Sequence, residues 1–414
     1  MSTSPATTFP AGFLWGSATA AHQVEGGNVN NDWWDWEHDP ASPCVEPSGD
    51  AIDHYHRYDD DFALLADLGQ NAHRFSLEWS RIEPAPGEFS TAALDHYARV
   101  LDSLADHGLT AFATLHHFTL PRWFAARGGW LAEDAVEVFA RYVERVAAAL
   151  GDRIPYAGTI NEPQIVAREC YLSGQFPPGH TDLTEALTVN ATLARAHRAA
   201  VEVLRAGPGT PLVGTCLHLP YIEPLRPDDE ADAGAAAAAR MVMIDTHLDD
   251  LRAGGDVGDW VGLQYYSRAL IDATAADLTA PPPEGAETTL MGWEVHPAGF
   301  GAVLRRIADA GLPVVVTENG IATSDDEQRV RYLASHLGEI ERALADGIDV
   351  RGYLYWSSFD NFEWAVGYRP TFGLVGIDRA DGLRRIPRRS AELFGEVARS
   401  GDLTALVTPP APTP

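Results

Sequence analysis

The sequence predicts a single-domain α/β protein, a (β/α)8 barrel with its working face at the C-terminal ends of the strands. Three observations carry this. Short runs rich in apolar and β-branched residues alternate with longer Ala/Leu/Arg/Glu stretches of helical periodicity. Eight such runs fit into about 360 residues, the span of one such barrel with insertions. Several runs lead straight into polar or aromatic clusters: Arg74 with Glu78, His116-His117, Asn161-Glu162, Tyr265-Tyr266, Glu318-Asn319 and Trp356. In a barrel those ends share one face, where catalytic side chains gather.

The first predicted strand is 13–19 (FLWGSAT). The second, 73–77 (HRFSL), follows a helix built around Phe62, Leu65 and Leu68 that stops at Gly69. The third, 109–115 (LTAFATL), follows a helix over 92–107, with Gly108 where a C-cap glycine belongs. The fourth, 156–160 (YAGTI), follows the amphipathic helix 132–150, and the fifth, 212–217 (LVGTCL), follows 183–206. Residues 260–265 (WVGLQY), 313–317 (PVVVT) and 350–355 (VRGYLY) complete the set. Near-continuous apolar strands separated by helices mark a parallel sheet covered on both faces. A doubly wound open sheet is the architectural rival, but it usually carries a Gly-rich phosphate turn after its first strand, and none stands there. Residues 231–239 read as an Ala-rich helix and 273–289 as a loop. The domain is drawn as 9–400, with a Pro-rich, disordered tail over 401–414.

Charge narrows the functional classes. The chain of 414 residues carries 30 basic and 59 acidic residues, a net charge of −29, and every basic residue is Arg. Such a chain repels phosphate backbones, so nucleic acid is disfavoured as a partner. Cys44, Cys170 and Cys216 are too few and too unpatterned for a disulfide framework or a zinc site. Residues 1–8 have neither a basic segment nor an apolar core, and no apolar run reaches the ~18 residues of a membrane span. The expectation is a cytoplasmic protein without a membrane partner, its oligomeric state open.

Two carboxylates stand out. Glu162 lies in TINEP and Glu318 in TENG, at the ends of the fourth and seventh strands. Strands four and seven are expected to face each other across the barrel mouth. Two opposed carboxyls are what glycoside cleavage needs: one protonates the leaving oxygen while the other attacks the anomeric carbon or activates water. Taken singly, a Glu-Pro or Glu-Asn-Gly segment is only a turn signal, and most acidic residues are solvated surface charges. Joint placement on two strand ends with aromatic company distinguishes this pair.

These residues carry a resemblance. FLWGSATAAHQVEG (13–26), DHYHRYDDDFALLADLGQNAHRFSLEWSRIEP (53–84), TINEP, VTENG and WSSFDNFEWAVGYRPTFGL (356–374) resemble, in order and almost end to end, the signature segments of family 1 glycoside hydrolases, the β-glucosidase and β-galactosidase family. The resemblance implies retaining, exo-acting hydrolysis of unphosphorylated β-D-glucosides, with β-galactosides and β-fucosides as further substrates. It implies Glu162 as general acid/base and Glu318 as nucleophile. Arg74 and Tyr266 would hold the nucleophile, and Asn161 the sugar 2-hydroxyl. Gln23, His117, Phe118, Trp356, Glu363, Trp364 and Phe372 would bind the sugar. No metal and no cofactor is implied, and the partner is a small-molecule β-glycoside. Two other readings stay open: a transglycosidase using an alcohol acceptor, and a carbohydrate-binding barrel with little turnover.

The chain also departs from the family pattern. His117-Phe118-Thr119-Leu120-Pro121 stands where a His-Trp-Asp-Leu-Pro segment is usual, so Phe118 offers no indole N–H. Between Met243 and Trp260 there is only a short acidic stretch, and the segments after strands six and seven are short. These changes bear on the leaving-group site rather than on the chemistry at the anomeric carbon.

Overall fold

Eight parallel strands close into a barrel: β1 (Leu14–Ala18), β2 (Ala72–Ser76), β3 (Thr110–His116), β4 (Tyr156–Asn161), β5 (Leu212–His218), β6 (Trp260–Tyr265), β7 (Val314–Asn319) and β8 (Val350–Trp356). This computed structural model describes residues 9–407. Residues 1–8, read as no leader, and 408–414, half of the expected tail, lie outside the described residues. All eight strands sit within two residues of their predicted bounds. Neighbours in sequence are neighbours in space, and β1 closes the ring against β8 with Gly16 beside Leu354 and beside Ala72 of β2.

One helix follows each strand and covers the sheet: α1 (His54–Asp67), α2 (Thr91–Asp106), α3 (Ala135–Leu150), α4 (Leu183–Ala206), α5 (Glu230–Arg240), α6 (Pro297–Ala308), α7 (Asp326–Ala345) and α8 (Arg389–Ser400). The chain cannot leave its helices polar all round, because parallel strands bury both faces. In α3, Val138, Phe139, Tyr142, Val143 and Val146 accordingly form one buried stripe at helical spacing. After α5 the chain passes through a π-helical turn, Met241–Asp245, into a further helix, Thr246–Arg252. The short acidic stretch before β6 is therefore partly helical.

The floor of the barrel explains why its mouth can be polar. Leu14, Ala72, Phe112, Tyr156, Cys216, Trp260, Val315 and Leu354, one from each strand, pack into a single interior cluster. Phe112 and Tyr156 stack at 4.2 Å within it. This plug excludes water from below, so the polar side chains above it must find partners in one another or in a ligand.

Two expectations need correction. Within 273–289, read as loop, Thr279–Ala280 pairs antiparallel with Leu270 and Ile271, extending a small rim sheet with Tyr221–Pro224. Residues 404–407, expected as disordered tail, are structured: Thr404–Val407 is a helical turn, and Leu406 is buried in the cluster that holds Phe394 and Val397. Leu403 and Ala405 pack against the same cluster, so several apolar residues anchor that turn. No helix among the described residues is long and apolar enough to cross a membrane.

The closeness of β7 to β8 at the mouth leads to a stability prediction. A Cβ on Gly320 would lie 1.7 Å from the carbonyl oxygen of Trp356. Gly320→Ala must push the two strand ends apart, with an expected cost of about 1–3 kcal/mol. A thermal melt of the variant is expected to show a clear loss in Tm, and an unchanged Tm would contradict the register described.

Candidate active site

The two carboxylates are aimed by breaks in the ladder. On β7 the pairing shifts between Val316 and Glu318 against β6, and between Val316 and Asn319 against β8. On β4 it shifts between Gly158 and Asn161 against β5. Such irregularities re-aim side chains at the rim of a barrel. Glu162 follows β4 with φ at +46°, its N–H bonded to the Cys216 carbonyl at 2.8 Å. Pro163 behind it starts a helical turn and bars Glu162 from the helical conformation. A left-handed glutamate is strained, and such strain gathers at functional sites. β4 and β7 are three positions apart around the ring rather than directly opposite, with β5 and β6 between them on the shorter arc.

Glu318 is held on both oxygens. Arg74 Nη1 donates to Oε1 at 2.5 Å, Gln264 Nε2 donates to the same oxygen at 2.7 Å, and the Tyr266 hydroxyl donates to Oε2 at 2.5 Å. Arg74 also donates through Nη2 to Asn161 Oδ1 and through Nε to Thr114 Oγ1 at 3.1 Å. Gln264 Nε2 reaches Asn161 Oδ1 as well, at 2.8 Å. Burial pushes the Glu318 carboxyl up, Arg74 pulls it back, and the charge of Glu162 pushes it up again, to about 7. The two carboxylates are thus close enough to feel each other.

Glu162 has a different neighbourhood. Its Oε1 meets His218 Nδ1 at 3.1 Å, and His218 stacks against Tyr266 at 5.9 Å. Gln164 Nε2 fixes the strand end from behind by donating to the His218 carbonyl at 2.6 Å. His218, Gln264 and Glu318 stand side by side in register on β5, β6 and β7.

The expected sugar-binding residues converge beside the carboxylates. His117 lies nearly parallel to Trp356 and Trp364, at 6.1 and 6.3 Å, and its Nε2 meets Asn161 Nδ2 at 3.2 Å. Burial, with Arg74 and His116, holds His117 well below its ordinary value, so the ring is neutral. Phe118 is buried edge-on to Trp364 at 5.2 Å, and Phe372 sits edge-on to Tyr266 at 6.1 Å. Gln23 Nε2 donates to the Phe362 carbonyl at 2.8 Å and lies 3.4 Å from Glu363 Oε2. Gln23 Oε1, His117 Nδ1 and Gln264 Oε1 are buried with no protein partner among the described residues. Burial raises the Glu363 carboxyl to about 8, with Glu318 and Glu162 adding to the push.

Sequence reasoning missed four contributors. Gln264 and His218 are single polar residues closing apolar runs, and only their register with Glu318 marks them. Trp293 reaches in from the segment after β6 to within 5.5 Å of the Tyr266 ring. Trp33, which lies in none of the segments that carry the resemblance, packs behind Trp364 at 4.6 Å. No group of three or more His, Cys, Asp or Glu side chains placed to hold a metal is found among the described residues.

A constellation of two coupled buried carboxylates, one clamped by guanidinium and phenol, beside parallel aromatic rings, suits cleavage of a sugar acetal. Comparison with known proteins agrees. The sequence matches the family described as Glycosyl hydrolase family 1 over residues 5–259 and 255–402. It is 32% identical over 441 residues to beta-glucosidase A of Thermotoga maritima, covering 95% of this chain and 98% of that protein. It is 34% identical over 435 residues to a bifunctional beta-D-glucosidase/beta-D-fucosidase of Bifidobacterium breve, covering 89% of this chain and 94% of that one. Among solved structures it resembles a beta-glycosidase from Pyrococcus horikoshii, at 38% identity and TM-score 0.90, covering 95% and 96% of the two chains. It also resembles a beta-glucosidase from Thermotoga maritima in complex with glucoimidazole, at 31% identity and TM-score 0.90, covering 95% and 99%.

Glu363 gives a pH prediction. Its folded value lies above its ordinary one, so between about pH 4.5 and 8 the folded state holds a proton that the unfolded chain releases. Stability from this group is therefore full below pH 4.5 and is lost as pH rises to 8. Glu363→Gln is expected to match wild type at pH 4.5 and exceed it by roughly 1–3 kcal/mol at pH 8. Denaturant melts at both values check this, and a constant difference between them would contradict it.

Proposed function

The chain belongs to glycosyl hydrolase family 1, and on that footing we propose that it is a retaining, exo-acting β-glycosidase for unphosphorylated β-D-glucosides, with β-fucosides and β-galactosides as further substrates. The observation that carries this reading is the unequal treatment of two neighbouring carboxylates. Of the two carboxylates, Arg74 and Tyr266 bond Glu318, while Glu162 faces an imidazole. If the pair shares one proton, Arg74 favours the charge on Glu318 and leaves the proton to Glu162.

That arrangement supports double displacement. Glu318 Oε attacks the anomeric carbon, the bond to the leaving oxygen breaks, and Glu162 gives that oxygen its proton. The sugar is then an ester of Glu318, and the negative charge beside Glu162 has gone. Glu162, now ionised, takes a proton from the water that attacks the same carbon, and Glu318 departs as carboxylate with the β-configuration restored. Asn161 and the buried His117 and Gln23 offer hydrogen bonds to sugar hydroxyls. Trp356 and Trp364 offer apolar faces to the ring's C–H face. The charge held on Glu318 would repel a 6-phosphate, and Arg74 is already engaged with Glu318, Asn161 and Thr114. The Bifidobacterium relative's pairing of glucosidase and fucosidase activity supports tolerance at C6.

A panel of aryl β-glucoside, β-galactoside, β-fucoside and 6-phospho-β-glucoside, with anomeric NMR of the first-formed sugar, tests this. The β-glucoside is expected to turn over with β-sugar released first, and the 6-phosphate to be refused. Glu318→Ala is expected to lose about 10⁴-fold or more in kcat. First-formed α-sugar would overturn Glu318 as nucleophile.

A further inference from the structure

His218 closes β5 with its imidazole between the two halves of the site. Its Nδ1 is 3.1 Å from Glu162 Oε1, and its ring lies nearly parallel to that of Tyr266, which bonds Glu318. The side chain is 19% exposed, so protons reach it from solvent. Its backbone is locked by the register with Gln264 and by Gln164 at its carbonyl, so the ring does not stand there through loop chance. A carboxylate accepts and never donates, so when Glu162 is ionised the proton of this contact must sit on Nδ1.

We propose that His218 is a positioning residue for Glu162, donating Nδ1–H to Oε1 and thereby favouring the ionised carboxylate that the second displacement uses as base. This rests on the proposed function for its catalytic meaning, but the contact itself does not. The consequence is directional. A donor to the ionised form stabilises it and keeps the base oriented toward water, so loss of the donor is expected to move the alkaline limb of activity to higher pH.

The charged and titratable groups around the ring are accounted for. Glu162 faces it from β4. The Tyr266 phenol faces it from β6 and stays protonated, because burial raises it well above its ordinary value. Glu318, Glu363 and Arg74 act on Glu162 from beyond. Of the rim charges, Arg268 is tied to Glu223 and Glu294. Among the described residues, Glu162 is therefore the one carboxylate within ion-pair distance of the ring.

The test has two arms. The first needs no turnover. Nitrogen-15 NMR of histidine-labelled protein, with His218 assigned by the signal lost in His218→Asn, follows its titration in wild type and in Glu162→Gln. His218 is expected to titrate lower in Glu162→Gln by about half a pH unit or more, and no movement would overturn the contact. The second arm compares kcat/KM profiles for an aryl β-glucoside with a good leaving group. In His218→Ala the alkaline limb is expected to move up by about half a pH unit or more. In the same variant kcat is expected to fall about 3- to 10-fold with KM falling in parallel, because the second displacement limits turnover of such a substrate. His218→Asn, which places an amide N–H near the position of Nδ1, is expected to restore the limb. A wild-type limb and kcat in His218→Ala would overturn the positioning role. If His218→Ala does not fold, the asparagine profile and the NMR arm decide. If wild type turns over no β-glycoside, the function proposal fails and the NMR arm still judges the contact.

Discussion

A buried guanidinium organises this molecule. Arg74 rises from β2 into a mouth sealed from below by the eight-residue plug, where an unpaired charge would cost several kcal/mol. Its three nitrogens each donate to another strand: Nε to Thr114 of β3, Nη2 to Asn161 of β4 and Nη1 to Glu318 of β7. The fork geometry of arginine allows this and the single point charge of a lysine does not. Barrel closure, strand register and the presentation of Glu318 are therefore satisfied together or not at all. Gln264 completes the set by bridging Asn161 and Glu318 through one nitrogen.

From that constraint the division of labour follows. In the mechanism we propose, Glu318, the carboxylate that Arg74 clamps, is the nucleophile and Glu162 the proton donor. Their mutual repulsion makes each sensitive to the other's state, so esterifying one retunes the other without any movement of the protein. Glu363, a third carboxylate nearby, is pushed up by its burial and by the same two charges. The site thus concentrates repulsion that folding must offset elsewhere, in the long apolar stripes of α3, α4 and α7.

Much of this was legible before the structure. The eight strands stood out because buried parallel strands are short, apolar and bounded by helices, and Gly69 and Gly108 do mark helix ends at positive φ. Glu162 and Glu318 were legible as strand-end carboxylates, and Arg74 and Tyr266 through the resemblance. Other parts were not. Gln264 in WVGLQY and His218 in LVGTCLHL are lone polar residues at the ends of apolar runs, and only three-dimensional register sets them beside Glu318. Trp293 belongs to a segment without periodicity. The packing of Leu403, Ala405 and Leu406 was lost in a Pro-rich end whose composition reads as disorder, although these apolar residues dock the chain end on the core. Secondary structure follows local pattern, whereas these contacts are set by how separate strands align.

The central claim, that Glu318 is the charged partner that bonds to the sugar, is tested most directly by trapping. A 2-deoxy-2-fluoro aryl β-glucoside slows the second displacement and lets the ester accumulate. Intact-mass and peptide mass spectrometry then locate it. One sugar per chain, on the peptide containing Val316-Thr317-Glu318-Asn319, is the predicted result. Release of the aryl group with no adduct, or an adduct on any other residue, would contradict the account.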